Sequence, residues 1–141
     1  MSFLLDTNVL SEPARPAPDP GVLAWLEDAD EDRLFLSAVS LAELHHGVER
    51  LPDSKRRRRL HEWLSLDVIE RFRGRILPIG NAEAEAWGRM LAAAEAKGSP
   101  IGVLDGFLAA TARVHDLTIV TRNTADFAPI LARVLNPWSA P

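Results

Sequence analysis

Leu117-Thr118-Ile119-Val120-Thr121 is β-branched at nearly every position and is the clearest strand in the chain. A helical pattern precedes it, with Leu104, Phe107, Leu108, Thr111 and Val114 along one face. Before that, an alanine-rich helix is expected from an N-cap at Asn81 to a stop at Gly98. Further upstream, Phe3-Leu4-Leu5 and Leu34-Phe35-Leu36 are short apolar runs suited to buried strands, and Arg75-Ile76-Leu77-Pro78-Ile79 reads as another, bounded by Gly80. Val134-Leu135 is expected as an edge strand. Helices fill the intervals: one capped by Asp19 with Pro20 at its first position, and one capped by Ser40 with Leu41, Leu44, Val48 and Leu51 at helical spacing. A third carries the basic run Lys55-Arg56-Arg57-Arg58-Arg59 through Leu60, Trp63 and Leu64. Strands alternating with helices predict an α/β layer fold around a mainly parallel sheet.

Composition bounds what such a fold can be. With 141 residues, 47% of them hydrophobic, the chain is expected to form one domain with a full core. The absence of cysteine excludes a disulfide framework, a thiolate zinc site and a cysteine nucleophile. It also fits a reducing cytosol, and a cytoplasmic location is expected. No apolar run approaches the roughly 20 residues of a membrane span, and Met1-Ser2-Phe3-Leu4-Leu5-Asp6 does not read as a signal peptide. The formal charge of −4 gives no support to nucleic-acid binding, although the basic run and Arg71, Arg73 and Arg75 concentrate cations in one region.

Ligands of open α/β sheets sit outside the carboxyl ends of the strands. Asp6 ends the first strand, Arg122 and Asn123 follow the last strong one, and Glu43 is expected in the first turn of the helix after the second. All would share one edge of the sheet. Taken singly, each acid has a structural explanation. Asp6 and Asp126 suit turns or caps, and Glu43 stands three residues after Ser40, the capping-box spacing. Asp105 is harder to explain so, because it borders an apolar helix face and needs a partner there. Carboxylates gathered at one edge repel one another unless something positive lies between them. A hard divalent cation answers that need: Mg²⁺ or Mn²⁺ takes oxygen ligands and turns a bound water into a nucleophile. On the residues alone, a metal site and an assortment of caps are equally good readings.

The string Leu4-Leu5-Asp6-Thr7-Asn8-Val9-Leu10-Ser11-Glu12 resembles the opening motif of PIN domains, in particular the VapC and FitB toxin branch. Ser37-Ala38-Val39-Ser40-Leu41-Ala42-Glu43-Leu44 with Gly47 resembles the second motif, and Asp105 to Ala112 with His115 the third. The segment from Leu117 to Asn123, continuing to Asp126-Phe127, is similar to the fourth, and Asn136-Pro137-Trp138 to the closing segment. The resemblance spans nearly the whole chain and implies a single PIN domain over residues 1–141. Its fold would be a three-layer α/β/α arrangement with a mainly parallel sheet of four or five strands.

The activity implied is metal-dependent hydrolysis of RNA phosphodiester bonds, leaving a 5′-phosphate and a 3′-hydroxyl. Asp6, Glu43 and Asp105 map onto the family's acids and would hold Mg²⁺, or Mn²⁺, with Glu43 as ligand or as orienter of the attacking water. The fourth acid maps either to the position of Asn123, which offers a carbonyl but no charge, or to Asp126. Thr7 and Asn8 would aim the Asp6 carboxylate. The resemblance also implies a homodimer and a cognate antitoxin like VapB or FitA, through which alone the toxin meets DNA.

Two rival readings stand beside this one. A catalytically silent PIN fold would act only through its antitoxin and DNA-binding partner, and Asn123 is the residue that favours it. A phosphatase using the strand-end Asp6 as nucleophile is disfavoured, because Asp6-Thr7-Asn8 lacks a second acid two residues on. The basic run either tracks RNA phosphates or is a solvated helix face. His45 and His46 are adjacent and diverge by about 100° on a helix, so neither these nor His61 and His115 are expected as metal ligands. Trp25, Trp63 and Trp87 are expected in packing, and Trp25, Leu44 and Val48 are candidate dimer contacts.

Overall fold

The computed structural model describes residues 1–130 and 132–138. Its strands are β1 (Phe3–Leu5), β2 (Leu34–Ser37), β3 (Ile76–Leu77), β4 (Thr118–Val120) and β5 (Val134–Leu135). They form one sheet in the order β3-β2-β1-β4-β5, with every pairing parallel. The helices are α1 (Thr7–Ser11), α2 (Pro20–Asp28), α3 (Ala38–Glu49), α4 (Lys55–Glu62), α5 (Ile69–Arg71), α6 (Asn81–Ala96) and α7 (Val103–His115). A π-helical stretch, Trp63–Val68, joins α4 to α5, and a 3₁₀ segment, Thr124–Ile130, follows β4.

The pleat sorts the core into two layers. On one face Leu4 and Ile119 pack with Met90, Ala94 and Leu108 from α6 and α7 and with Phe127. On the other, Leu5 and Val120 pack with Val9, Val22, Leu34, Leu36, Leu64 and Phe72, against α1 to α5. Successive strand residues point to opposite faces, and both faces are covered by helices, which gives the expected three-layer α/β/α arrangement. The chain steps outward from β1 to β2 and β3, then crosses back to β4 on the far side of β1. The junction of β1 and β4 is therefore the topological switch point, where the two directions of winding leave a crevice.

Several local expectations are corrected. The helix after β2 is capped by Ser37, whose hydroxyl accepts from Val39 N at 3.1 Å, because the strand runs straight into the helix. Ser40 is buried within that helix, and Glu43 lies in the second turn rather than the first. Gly80, rather than Asn81, takes the N-cap of α6, and the Glu83 carboxylate accepts from its N–H at 3.1 Å. The buried face of α7 is also displaced. Leu108 to Ala112 are buried, whereas Leu104 and Val114 are exposed. Alanines and Thr111 fit the close approach of α7 to the sheet and to α6, which bulkier side chains would not. Val48 is buried in the core of this chain, so it is not the exposed contact expected of it, whereas Leu44 is half-buried and keeps part of its surface open. Trp25 packs edge-to-face on Phe3, with ring centroids 5.0 Å apart.

One clamp holds the β2–β3 edge to α5. The Arg75 guanidinium donates to the carbonyls of Glu31, Leu34 and Arg71, stands 3.5 Å from the Glu31 carboxylate, and lies over the Phe72 ring. Arg71 binds Glu31 through two hydrogen bonds, at 2.7 and 3.1 Å, and holds its carboxyl below the ordinary range. Arg73 pairs with Glu70. These three arginines are therefore occupied within the fold.

Candidate active site

Asp6 follows the last residue of β1 and caps α1. Its main-chain N–H donates to Val120 O at 3.0 Å, which continues the β1–β4 ladder and sets Asp6 beside Thr121. One carboxylate oxygen, Oδ1, accepts from Thr7 N at 2.8 Å. The other, Oδ2, accepts from the Thr121 hydroxyl at 2.8 Å and, more distantly, from Asn8 Nδ2 at 3.5 Å. Asp6 is 7% exposed and Thr121 fully buried, so this carboxylate is held in one orientation by groups that have little freedom of their own.

Asn8 joins both sides of the switch point. Its Nδ2 lies 3.4 Å from Thr121 Oγ1, and its Oδ1 accepts from Arg122 N at 3.3 Å. Thr121 Oγ1 also accepts from Asn123 N at 3.0 Å. Thr7 reaches Asp6 through its main chain, an interaction that does not depend on its side chain. From the sequence alone Thr121 reads only as part of a strand. Its signal was the register: a parallel β1–β4 pair that sets Leu5 opposite Val120 sets Asp6 opposite Thr121.

The other acids come from three separate elements. Glu43 projects from α3, Asp105 from the first turn of α7, and Asp126 from the 3₁₀ segment after β4. Burial, followed by the charges of Asp6 and Asp105, raises the Glu43 carboxyl above the ordinary range. Burial, followed by the charges of Asp6 and Asp126, does the same to Asp105. Asp6, Glu43 and Asp105 thus feel one another across the switch point, and Asp126 acts on Asp105. Among the described residues none of the four forms an ion pair with Lys, Arg or His. Arg122, a nearby cation in sequence, lies over the Trp138 ring at 5.5 Å.

Asn123 and Asp126 are both exposed. Asn123 shapes the turn, its carbonyl accepting from Asp126 N at 3.1 Å, and the charge of Asp126 reaches Asp105. His115 lies at the far end of α7, where its Nε2 meets Glu83 Oε1 at 2.9 Å, away from Asp105 in the first turn.

Oxygen-only donors from Asp and Glu, with mutual repulsion and no ion pair among the described residues, match a hard divalent ion such as Mg²⁺ or Mn²⁺. Among the described residues no three Asp, Glu, His or Cys side chains close into a ready-made cage. An ion held here would therefore take one or two of these carboxylates and keep several waters.

A parallel five-stranded sheet with an uncompensated acid cluster at its switch point defines the class to which this chain belongs. It is a member of the PIN domain family, whose pattern matches residues 3–130. Among its relatives is Toxin FitB of Neisseria gonorrhoeae, 42% identical over 136 residues, covering 96% of this chain and 98% of that protein. VapC ribonuclease Y4jK of Sinorhizobium fredii is 37% identical, covering 96% and 97%. Among solved structures, FitAB bound to an IR36 DNA fragment contains a chain that superposes with a TM-score of 0.92 at 39% identity, covering 99% of this chain and 97% of that one.

Proposed function

We propose that this chain is a metal-dependent endoribonuclease, the toxin of a toxin–antitoxin pair, hydrolysing RNA phosphodiester bonds until a cognate antitoxin like VapB or FitA neutralises it. The observation that carries the reading is the set of four acids, Asp6, Glu43, Asp105 and Asp126, brought from four elements and, among the described residues, without an ion pair to Lys, Arg or His. Burial and the neighbouring acids together raise the Glu43 and Asp105 carboxyls, which favours a cation among them. The relatives named FitB and VapC ribonuclease support the toxin and the activity, and the FitAB complex with DNA supports a partner that meets DNA on the toxin's behalf.

On this reading Asp6 and Asp105 would hold Mg²⁺ directly, with Mn²⁺ the alternative, and Glu43 would serve either as a third ligand or as orienter of the attacking water. Bound there, the ion would polarise a phosphodiester oxygen and acidify a water. Thr121 and Asn8 hold the Asp6 carboxylate in register with the site. Asp126 takes the fourth acidic position, and Asn123 builds the turn that brings it there. The chain acts as one PIN unit over residues 1–141, as a homodimer in the cytoplasm. Among the described residues no helix is long and apolar enough to cross a membrane.

Cleavage of total cellular RNA by antitoxin-free protein tests this, with Mg²⁺, with chelator, and with Asp105→Asn beside wild type. Discrete fragments that require both metal and Asp105 are expected. Intact RNA from folded, metal-loaded wild type, over a panel of tRNA, mRNA and ribosomal RNA, would move the protein to the silent-module reading.

A further inference from the structure

Next to the acids lies an open cavity of about 690 Å³ whose chemistry differs from theirs. Thr7 and Asn8 of α1 and Glu43 of α3 line one side, so the cavity is continuous with the acid cluster. Its floor is apolar, including Leu44, Leu60 and Trp63, and Arg15 and Arg56 stand at its walls. The fold sorts the basic run of α4 in a way that sequence could not. Arg57 is tied to Glu49 at 2.6 Å and Arg58 to Asp53 at 3.4 Å, whereas Arg56 has no ion pair among the described residues and lines the cavity. Arg15 has only a loose contact, 3.9 Å, with Glu12 and is largely exposed.

We propose that this cavity seats the RNA nucleotide beside the scissile bond, with Arg56 and Arg15 holding its phosphates and Trp63 offering aromatic surface to its base. The inference rests on the ribonuclease reading and deepens it by naming where the strand lies. Charge complementarity selects the occupant. An acid cluster repels a polyanion, so the strand needs cations close beside that cluster, and Arg56 and Arg15 are the arginines that line the adjoining cavity. The apolar floor selects single-stranded RNA over duplex, because only an unstacked base presents a face that an apolar, aromatic surface can cover. Arg56 and Arg15 are positioning residues, since they act on the flanking strand and not at the bond that breaks.

The test uses the full chain with Asp105→Asn to prevent cutting, and a fluorescent mixed-sequence single-stranded RNA 12-mer as probe. Binding is followed against salt for the parent, Arg56→Gln, Arg15→Gln, and Arg58→Gln as a control on the outer face. Each lost phosphate contact lowers the slope of log affinity against log salt by about 0.7 for a single strand. Arg56→Gln and Arg15→Gln are each expected to show that decrease, and Arg58→Gln the parental slope. In the cleavage-competent background, Arg56→Gln is expected to raise KM while kcat holds. Arg56 is exposed, so an unchanged melting temperature shows that the variant folds. Parental slopes and KM in Arg56→Gln overturn the inference while wild-type cleavage keeps the ribonuclease reading. Weakened binding of the antitoxin with unaltered RNA binding also overturns it, assigning the cavity to the protein partner. Failure of wild type to bind or cut any RNA overturns both.

Discussion

Thr121→Val exchanges one hydroxyl for a methyl of similar size at a fully buried position, so it isolates what that oxygen does. The hydroxyl donates to Asp6 Oδ2 at 2.8 Å and accepts from Asn123 N at 3.0 Å. A hydrogen bond to a charged group contributes about 1.5–3 kcal/mol, and the 3.5 Å contact from Asn8 is too long to replace it. A loss of about 2 kcal/mol is therefore expected. For a chain of 141 residues, with an unfolding entropy of about 2.1 cal/mol/K per residue, that lowers Tm by about 7 °C. The variant also frees the Asp6 carboxylate to turn away from the site, so metal-supported cleavage should fall by about 10–100-fold. Thermal melts and cleavage rates from the same preparation read both effects. Thr121→Ser, which keeps the hydroxyl, should recover most of the cleavage while still melting below wild type through its lost methyl. If Thr121→Val melts with the wild type and cuts at its rate, Asp6 is aimed by something else and the reasoning fails.

Two further outcomes follow from the charges. A carboxyl whose pKa is raised by folding contributes stability while protonated, and that contribution is lost as pH rises through the raised pKa. Metal-free Asp105→Asn should therefore melt above wild type at neutral pH, with the gap closing as pH falls below the ordinary carboxylate range; a variant melting below wild type at pH 7 would contradict the repulsion described. Added Mg²⁺ should raise the melting temperature of wild type more than that of the variant, because ligand binding to the native state alone stabilises it. At the far edge of the sheet, Arg75→Lys should cost about 2 kcal/mol in chemical denaturation, since an ammonium cannot serve three carbonyls placed around a planar fork. An unchanged denaturation midpoint would show the clamp to be dispensable.

Elements set by local chemistry were legible in advance. The β-branched run at Thr118–Val120 forms β4, Asp19 caps α2 with Pro20 at its first position, and Gly98 closes α6 at φ +74°. The misreadings share a cause. Ser37 and Ser40 are equally good caps by composition, and the choice depends on where β2 stops, which its pairing with β3 determines. Leu104 and Val114 share the helical spacing of Leu108, yet the close approach of α6 and the sheet selects the smaller residues for the buried face. Spacing reports a stripe on a helix but not which part of it meets a neighbour.

The site divides in the same way. Asp6, Glu43 and Asp105 could be proposed from the string because their motifs resemble those of PIN domains in order along the chain; taken singly, Asp6 and Glu43 also suit a turn or a cap. Their company could not be. Thr121 meets Asp6 across 115 positions of sequence, Asp126 is brought to Asp105 by a turn whose main chain Asn123 supplies, and neighbouring arginines of one helix divide between outer ion pairs and an open cavity. Sequence determined which groups can ionise, donate or pack, since these are properties of single side chains. The tertiary structure decided which of them share a space, because proximity depends on strand order and on which face each helix buries, and both are settled only by the whole core.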